Sequence, residues 1–195
     1  MPRAATVKGD GRVARRVVTR DAILDAATEL FAARGVTSTS IDDIAGSARI
    51  AKGSVYYNFE SKAGLVEAVM ARSGYLLAGA LTEAVAGREG TELRRAVVRS
   101  LLAVIRDHTA DARVMVTELF RTERSWRESI EQWRLIAISP LVADLERQGV
   151  GREQARLQAA AIVGATLVTG LEWLVFHPEY DHEEVVAAVL ATLGY

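Results

Sequence analysis

Apolar residues recur along most of this chain at spacings of three and four positions, which is the period of an amphipathic α-helix. Strict alternation of apolar and polar residues, which would indicate strands, is nearly absent. The pattern predicts an all-α protein of about nine helices, in which four closely spaced helices precede a helical bundle. The predicted helices cover residues 21–34, 41–48, 52–59, 62–86, 91–108, 111–123, 125–147, 152–176 and 182–193.

Capping and helix-breaking residues set the ends of these helices. Gly35 suits the C-terminal end of the first helix, and Ser40 and Ser61 suit the N-caps of the second and fourth. Pro140 falls inside the predicted helix 125–147, where a missing N–H is expected to kink or split it. Gly149 and Gly151 then mark a break before the most apolar helix.

The segment AKGSVYYNFESK, residues 51–62, concentrates polar and aromatic side chains in a chain that is only 6% aromatic. On a helix over 52–59, Val55 and Phe59 lie four positions apart and are expected to face the core. The side chains left towards the outside are those of Lys52, Ser54, Tyr57 and Asn58, with Tyr56 alongside. Two short helices joined by a tight turn at about 48–51, and backed by a third helix, predict a helix-turn-helix.

This chemistry suits a duplex DNA partner. Hydroxyl and ammonium groups donate to phosphate oxygens, and Gly53 removes a side chain where backbone N–H groups would approach a phosphate. Asn58 can read adenine, and an aromatic ring can pack against a thymine methyl. Taken singly, each tyrosine could be a core residue and Lys62 a solvated charge. In combination, the spacing favours DNA binding.

Residues 20–66, TRDAILDAATELFAARGVTSTSIDDIAGSARIAKGSVYYNFESKAGLV, resemble the DNA-binding domain of the TetR family of bacterial repressors. The matching features are the AA-ELFA-RG first helix, the T-S-I-DDIA second helix and the KGSVYYNF-SK segment. The resemblance implies a flexible basic arm over 1–19, a DNA-binding domain over 20–66 with its helix-turn-helix at about 40–59, and a regulatory and dimerisation domain over 67–195.

Carried over by position, the resemblance also implies roles for individual residues. Thr39 and Ser40 would touch a phosphate, and Tyr56 and Lys62 would clamp the flanking backbone. The residues in or beside the major groove would be Lys52, Gly53, Ser54 and Tyr57. The arginines of the arm that could reach a neighbouring groove are Arg15, Arg16 and Arg20.

Three positions depart from the family pattern. Arg49 stands in the turn where the family usually has glycine, and a left-handed conformation there is mildly strained. Ala51 replaces the usual Ser or Thr cap of the recognition helix, at a cost of ~1 kcal/mol. Asn58 stands where histidine is common. These departures leave local rigidity and base preference open.

Charge is distributed unevenly although the net charge is −1. Residues 1–62 contain ten Lys and Arg against seven Asp and Glu, whereas the rest of the chain is mildly acidic. A basic leading region suggests an anionic partner, although a solvated tail would have the same composition. The absence of cysteine excludes disulfides and thiolate metal sites, and no signal-peptide pattern is present, so a cytoplasmic location is expected.

The apolar segment 157–176 is long enough to suggest a membrane span, but Gln158, Thr166, Thr169 and Glu172 interrupt it. A homodimer interface through about 152–176 and 182–193 explains it better, as the resemblance implies, while burial inside one subunit remains the alternative. A dimer would present two recognition helices to a near-palindromic site.

The resemblance further implies a pocket for an unknown small-molecule effector. The side chains suited to it are Met115, Glu118, Phe120, Arg121, Trp126, Trp133, Glu172 and Trp173, each of which could instead be ordinary core or surface. His108, His177 and His182 form no metal-binding pattern, and nucleophile and phosphate-loop motifs are missing, so no metal, cofactor or enzymatic activity is expected. A ligand-responsive repressor is favoured over a helical interaction protein that kept the fold without specific DNA binding.

Overall fold

The computed structural model describes residues 10–119 and 126–194, with side chains described from residue 17 onward. Within these ranges it contains nine α-helices and no strand, which confirms the all-α prediction. The helices are α1 Asp10–Arg34, α2 Ile41–Ser47, α3 Lys52–Asn58, α4 Lys62–Val85, α5 Gly90–Asp107, α6 Thr109–Leu119, α7 Arg127–Arg147, α8 Arg152–Phe176 and α9 His182–Thr192.

The chain divides into two compact units, Met1–Ala68 and Val69–Tyr195. In the first unit, α1, α2, α3 and the first turns of α4 enclose a small apolar core. Its fully buried side chains include Ile23, Ile44, Val55 and Leu65, so each helix contributes to the same core. Burying a large apolar side chain stabilises the folded state by about 1.5–3 kcal/mol, and this stabilisation holds helices this short in place.

The second unit is a bundle in which α8 packs against α5, α6, α7 and α9. Gly170 of α8 faces two side chains of α5. A Cβ placed on Gly170 would lie 2.9 Å from Ile105 Cδ1 and 3.0 Å from Leu102 Cδ2. The missing side chain therefore allows the two helix backbones to pack tightly.

The predicted start of the first helix is wrong, and the split considered at Pro140 is not observed. The first helix begins at Asp10 rather than Asp21, so the flexible arm expected through residue 19 is helical from Asp10 onward. Adding residues to an existing helix requires no new nucleation, which is why α1 extends past its expected start. Pro140 lies inside α7, which runs without a break from Arg127 to Arg147, so the helix is not split there.

Candidate nucleic-acid interface

The second helix, α2, has a complete N-terminal cap that the sequence predicted at Ser40. The Asp43 backbone N–H donates to Ser40 Oγ at 3.1 Å, and the Ser40 backbone N–H donates to Asp43 Oδ2 at 2.8 Å. This reciprocal pair is a capping box, which satisfies two backbone donors at the helix start. The hydrogen bonds from Ser40 lower the pKa of the Asp43 carboxyl below its ordinary value.

The turn between α2 and α3 contains the strained residue that the sequence predicted. Arg49 has a φ of 55°, in the left-handed region that favours glycine. Ala51 then takes the N-cap position of α3 in an extended conformation, φ −70° and ψ 140°, but alanine offers no oxygen to the first backbone N–H groups. The turn keeps its shape without either of the residues best suited to it.

The inward orientation predicted for Val55 and Phe59 is confirmed. Val55 is fully buried and Phe59 is 5% exposed, so both face the core. On the opposite side Tyr57 is 74% exposed and Tyr56 is 49% exposed, and Lys52 is also exposed. A Cβ placed on Gly53 would meet nothing within 4 Å, so internal packing in the described structure does not require glycine there. The outer side of α3 is open to a partner.

Arg20 lies on α1 rather than in a separate arm, and it supports the end of α3. Its guanidinium carbon is 4.2 Å from the centre of the Phe59 ring, and its Nη1 donates to the Asn58 carbonyl at 3.1 Å. A cation over an aromatic face and at a helix C-terminus is favourable on both counts. Arg15 and Arg16 belong to the same helix by backbone, but their side chains lie outside the described residues.

Two predicted contact residues are turned inward. Thr39 is 1% exposed, and its hydroxyl donates to the Gly35 carbonyl at 3.0 Å and the Leu30 carbonyl at 3.3 Å. The prediction that the Thr39 side chain meets a phosphate is therefore wrong, because it closes the end of α1 instead. Asn58 was expected to face outward, but its Nδ2 donates to the Ser54 carbonyl at 2.8 Å and its Oδ1 is buried.

The basic residues Lys52 and Lys62 each have a partner within the first unit. Lys62 Nζ donates to the Thr37 carbonyl at 3.3 Å, which ties the start of α4 to the loop before α2. Lys52 Nζ lies 2.8 Å from Asp42 Oδ2, and this hydrogen bond raises the pKa of Lys52, with the charge of Asp42 adding to the effect. Asp42 lies in the first turn of α2. Its ten-residue separation from Lys52 gave no local signal of the pairing.

In the second unit, the candidate pocket residues do not form one site. Met115 and Trp133 line an enclosed cavity of about 20 Å³, together with Ser73, His108 and Asp111. Glu172 and Trp173 line an open groove of about 470 Å³ between α8 and α9. Glu118 and Trp126 are buried and joined by a 3.1 Å hydrogen bond. Phe120 and Arg121 lie outside the described residues.

Helix α8 has an exposed apolar side as well as a buried one. Leu157, Val168 and Phe176 are each more than 60% exposed. Arg152–Phe176 is the one helix in the described residues long and apolar enough to cross a membrane, and 39% of its most apolar window is buried within the protein. A soluble core helix meets the same criterion, so length and composition do not decide what covers this side. Among the described residues no cluster of His, Cys, Asp or Glu is arranged to bind a metal ion.

A short helix pair, a tight turn, a supporting third helix and an outward polar face on the second helix define a helix-turn-helix DNA-binding protein. Residues 23–69 match the family described as "Bacterial regulatory proteins, tetR family". Residues 23–69 therefore form a DNA-binding domain of the tetR-family type.

Curated relatives match over the same region. The transcriptional regulator SrpR of Pseudomonas putida is 43% identical over 53 residues, which cover 27% of this chain and 25% of SrpR. The transcriptional repressor KstR2 of Mycolicibacterium smegmatis is 47% identical over 51 residues, which cover 26% of this chain and 25% of KstR2. The chain thus spans about a quarter of the length of these relatives, and the sequence likeness concerns the DNA-binding domain.

Solved structures extend the likeness to nearly the whole fold. A TetR-like transcriptional regulator from Rhodococcus sp. RHA1 has a TM-score of 0.76 at 25% identity and covers 91% of this chain and 94% of its own. The regulator FadR from Bacillus subtilis, solved in complex with stearoyl-CoA, has a TM-score of 0.75 at 21% identity and covers 89% of this chain and 96% of its own. Identity this low establishes a common fold for the second unit and nothing about its ligand.

Proposed function

We propose that this protein is a transcriptional repressor that binds a near-palindromic DNA operator as a homodimer and responds to a small-molecule effector. The observation that carries the proposal is the outward face of α3. Val55 and Phe59 fix the helix from inside, and Lys52, Gly53 and Tyr57 remain on the outside. A helix anchored on one side and polar on the other suits insertion into the major groove.

The contacts divide by chemistry. Lys52 and the Tyr57 hydroxyl would meet phosphates or base edges, and Gly53 would let the backbone N–H groups of α3 approach the duplex. Ser54 would lie beside them, and Tyr56 and Lys62 would meet the flanking phosphates. Ser40 is exposed and caps α2, and its hydroxyl donates to Asp43 Oδ2 at 2.6 Å. It would have to release that hydrogen bond to donate to a phosphate.

Dimerisation through α8 and α9 is supported by the apolar side chains that α8 leaves exposed. Leu157, Val168 and Phe176 would be covered by the same helix of a second copy, in an interface related by a two-fold axis. Burial there is favourable at about 25 cal/mol per Å² of apolar surface. This arrangement makes α8 an interface helix, and the proposal includes a cytoplasmic location without membrane contact.

Effector binding in the second unit is supported by its fold, and the small cavity beside Met115 and Trp133 is one place where it could start. The FadR neighbour was solved with stearoyl-CoA, which makes a long-chain acyl compound one class to test. The cavity of about 20 Å³ holds no more than a water molecule, so an effector would have to enlarge it. Because α4 begins in the first unit and ends in the second, a ligand that shifts α4 would change DNA affinity. We assign no catalytic role.

Fluorescence anisotropy with the DNA upstream of the protein's own gene, against a scrambled duplex, tests the proposal. A repressor should bind the upstream DNA selectively, and a protein making 6–10 phosphate contacts should lose about three to five orders of magnitude in affinity between 50 and 200 mM salt. If that DNA shows no selectivity, selection from a random-sequence duplex library should recover an enriched site. Failure of both would favour a helical interaction protein.

Variants of exposed residues locate the DNA-binding surface. Tyr57→Ala and Lys52→Ala should each weaken operator binding and leave the thermal unfolding curve nearly unchanged, because both side chains are exposed. Tyr75→Ala is the matched control, since Tyr75 is 80% exposed and lies in the second unit. Equal losses for Tyr57→Ala and Tyr75→Ala would contradict the assignment of α3 to the DNA contact.

A further inference from the structure

The only charged residue on the recognition helix α3 is paired within the protein. The helix Lys52–Asn58 has the sequence KGSVYYN, so Lys52 is the only residue of α3 with a charged side chain. Lys52 Nζ lies 2.8 Å from Asp42 Oδ2, and the two side chains are 51% and 67% exposed. Asp42 belongs to α2, so the pair bridges the two helices of the helix-turn-helix. The positive charge of Lys52 on α3 is therefore balanced by the carboxylate of Asp42 on α2.

We infer that Asp42 is a positioning residue that keeps Lys52 paired until α3 is fully seated in an operator, and thereby limits binding to unrelated DNA. The inference rests on the proposed function, because it assigns Lys52 to a DNA contact. A carboxylate and a phosphate compete for the same ammonium group, and counterion release gives each phosphate contact a salt-dependent advantage that the carboxylate opposes.

The weakness of the pair is what allows the exchange. An ion pair this exposed contributes little, so replacing the carboxylate by a phosphate changes affinity by no more than about fivefold. When the other contacts of α3 hold the helix in a matching groove, that difference is easily overcome and Lys52 transfers to DNA. In a loose complex with unrelated sequence, Lys52 stays on Asp42 and adds no phosphate contact.

The salt dependence of binding to a scrambled duplex tests the inference. Asp42→Asn should tighten that binding by up to about fivefold at low salt. It should also steepen the slope of log affinity against log salt concentration by about 0.9 per protomer, because Lys52 gains one phosphate contact. On a duplex selected by the wild-type protein from a random library, the slope should stay unchanged, since Lys52 already binds DNA there.

Controls separate the pairing from the loss of a negative charge. Glu29→Gln removes an exposed carboxylate from α1 and should change the slope on either duplex much less than Asp42→Asn does. In a Lys52→Gln background, Asp42→Asn should have no effect on the slope. Asp42→Glu should restore the wild-type slope on the scrambled duplex, and thermal unfolding checks that each variant is folded.

Two results would overturn the inference: equal slopes for Asp42→Asn and Glu29→Gln on the scrambled duplex, or a gain that persists without Lys52. The second would mean that Asp42 acts by repelling phosphates directly. A wild-type protein that binds both duplexes alike would instead overturn the proposed function. The slopes on the scrambled duplex would still decide the inference in that case, because they require only phosphates.

Discussion

The two helices of the helix-turn-helix are each seven residues long, yet they are stabilised in different ways. Helix α2 has a complete capping box at Ser40 and buries Ile41, Ile44 and Ala45. Helix α3 begins at Lys52, has Ala51 at its N-cap position without a side-chain cap, and buries only Val55 along its length. Local sequence therefore supports α2, whereas α3 depends on contacts beyond its own seven residues.

Those contacts lie at the C-terminal end of α3. Phe59 follows the helix directly and is buried. Arg20 of α1 packs over its ring and donates a hydrogen bond to the Asn58 carbonyl. Holding the helix by one end and one inner residue leaves Tyr56 and Tyr57 exposed on its outer side. The difference between α2 and α3 shows how a seven-residue helix can be both ordered and available for DNA.

The largest expected effect comes from removing the anchor of α3. Phe59→Ala should lower the free energy of unfolding of the first unit by ~3–5 kcal/mol, because the ring is almost fully buried and its loss leaves a cavity. Urea unfolding followed by far-UV circular dichroism measures the loss. Tyr57→Ala removes an aromatic ring of similar size from the exposed side and should cost far less. Equal costs for the two would contradict the one-sided anchoring of α3.

Removing the cap of α2 should have a smaller effect. Ser40→Ala deletes the oxygen that accepts from the Asp43 backbone N–H, and a lost N-cap costs ~1 kcal/mol. Amide hydrogen exchange in α2 should be faster in Ser40→Ala than in the wild-type protein, while exchange in α1 should change less. Ser47→Ala, at the other end of the same helix, is the control and should leave exchange in the first turn of α2 unchanged. If Ser40→Ala also left it unchanged, the capping box would not be what holds α2.

Much of this contrast could be predicted from the sequence because it depends on near neighbours. The Ser40 cap, the left-handed Arg49, the uncapped Ala51 and the inward Val55 all follow from residues within a few positions of one another. Periodicity also located all nine helices of the described chain, since an apolar stripe is a property of each helix alone.

The remaining features depend on residues that are distant in the chain. Arg20 reaches Asn58 across 38 positions, and Thr39 turns inward because the Leu30 and Gly35 carbonyls at the end of α1 need a donor. The pocket residues of the second unit were harder still to predict, because a Trp or Glu on a bundle helix has the same local pattern whether it lines a pocket or packs in a core. Tertiary packing separated Met115 and Trp133 from Glu172 and Trp173.

Giving α3 a cap should make the two helices more alike. Ala51 already has the extended N-cap conformation, so Ala51→Ser should add a hydrogen bond to the first turn of α3 and stabilise it by about 0.5–1 kcal/mol. Slower amide hydrogen exchange in α3 is the expected observation. Ala51→Val supplies no oxygen and should bring no such gain. Unchanged exchange in Ala51→Ser would mean that the first turn of α3 is already held by other contacts.

The smallest expected effect is a pH dependence confined to the capping box of α2. Hydrogen bonds from Ser40 lower the pKa of Asp43, so its ionised form stabilises the folded state above the ordinary carboxyl pKa of 3.8. That contribution is lost as pH falls below about 4, through the folded-state pKa, because the unfolded chain binds the proton more readily. The stability difference between the wild-type protein and Asp43→Asn should therefore be largest near neutral pH and shrink in acid.

In a Ser40→Ala background the same difference should depend less on pH, since the Ser40 hydroxyl is the main cause of the shift. A pH dependence unaffected by Ser40→Ala would place its origin outside the capping box, and α2 would then depend on tertiary contacts as α3 does.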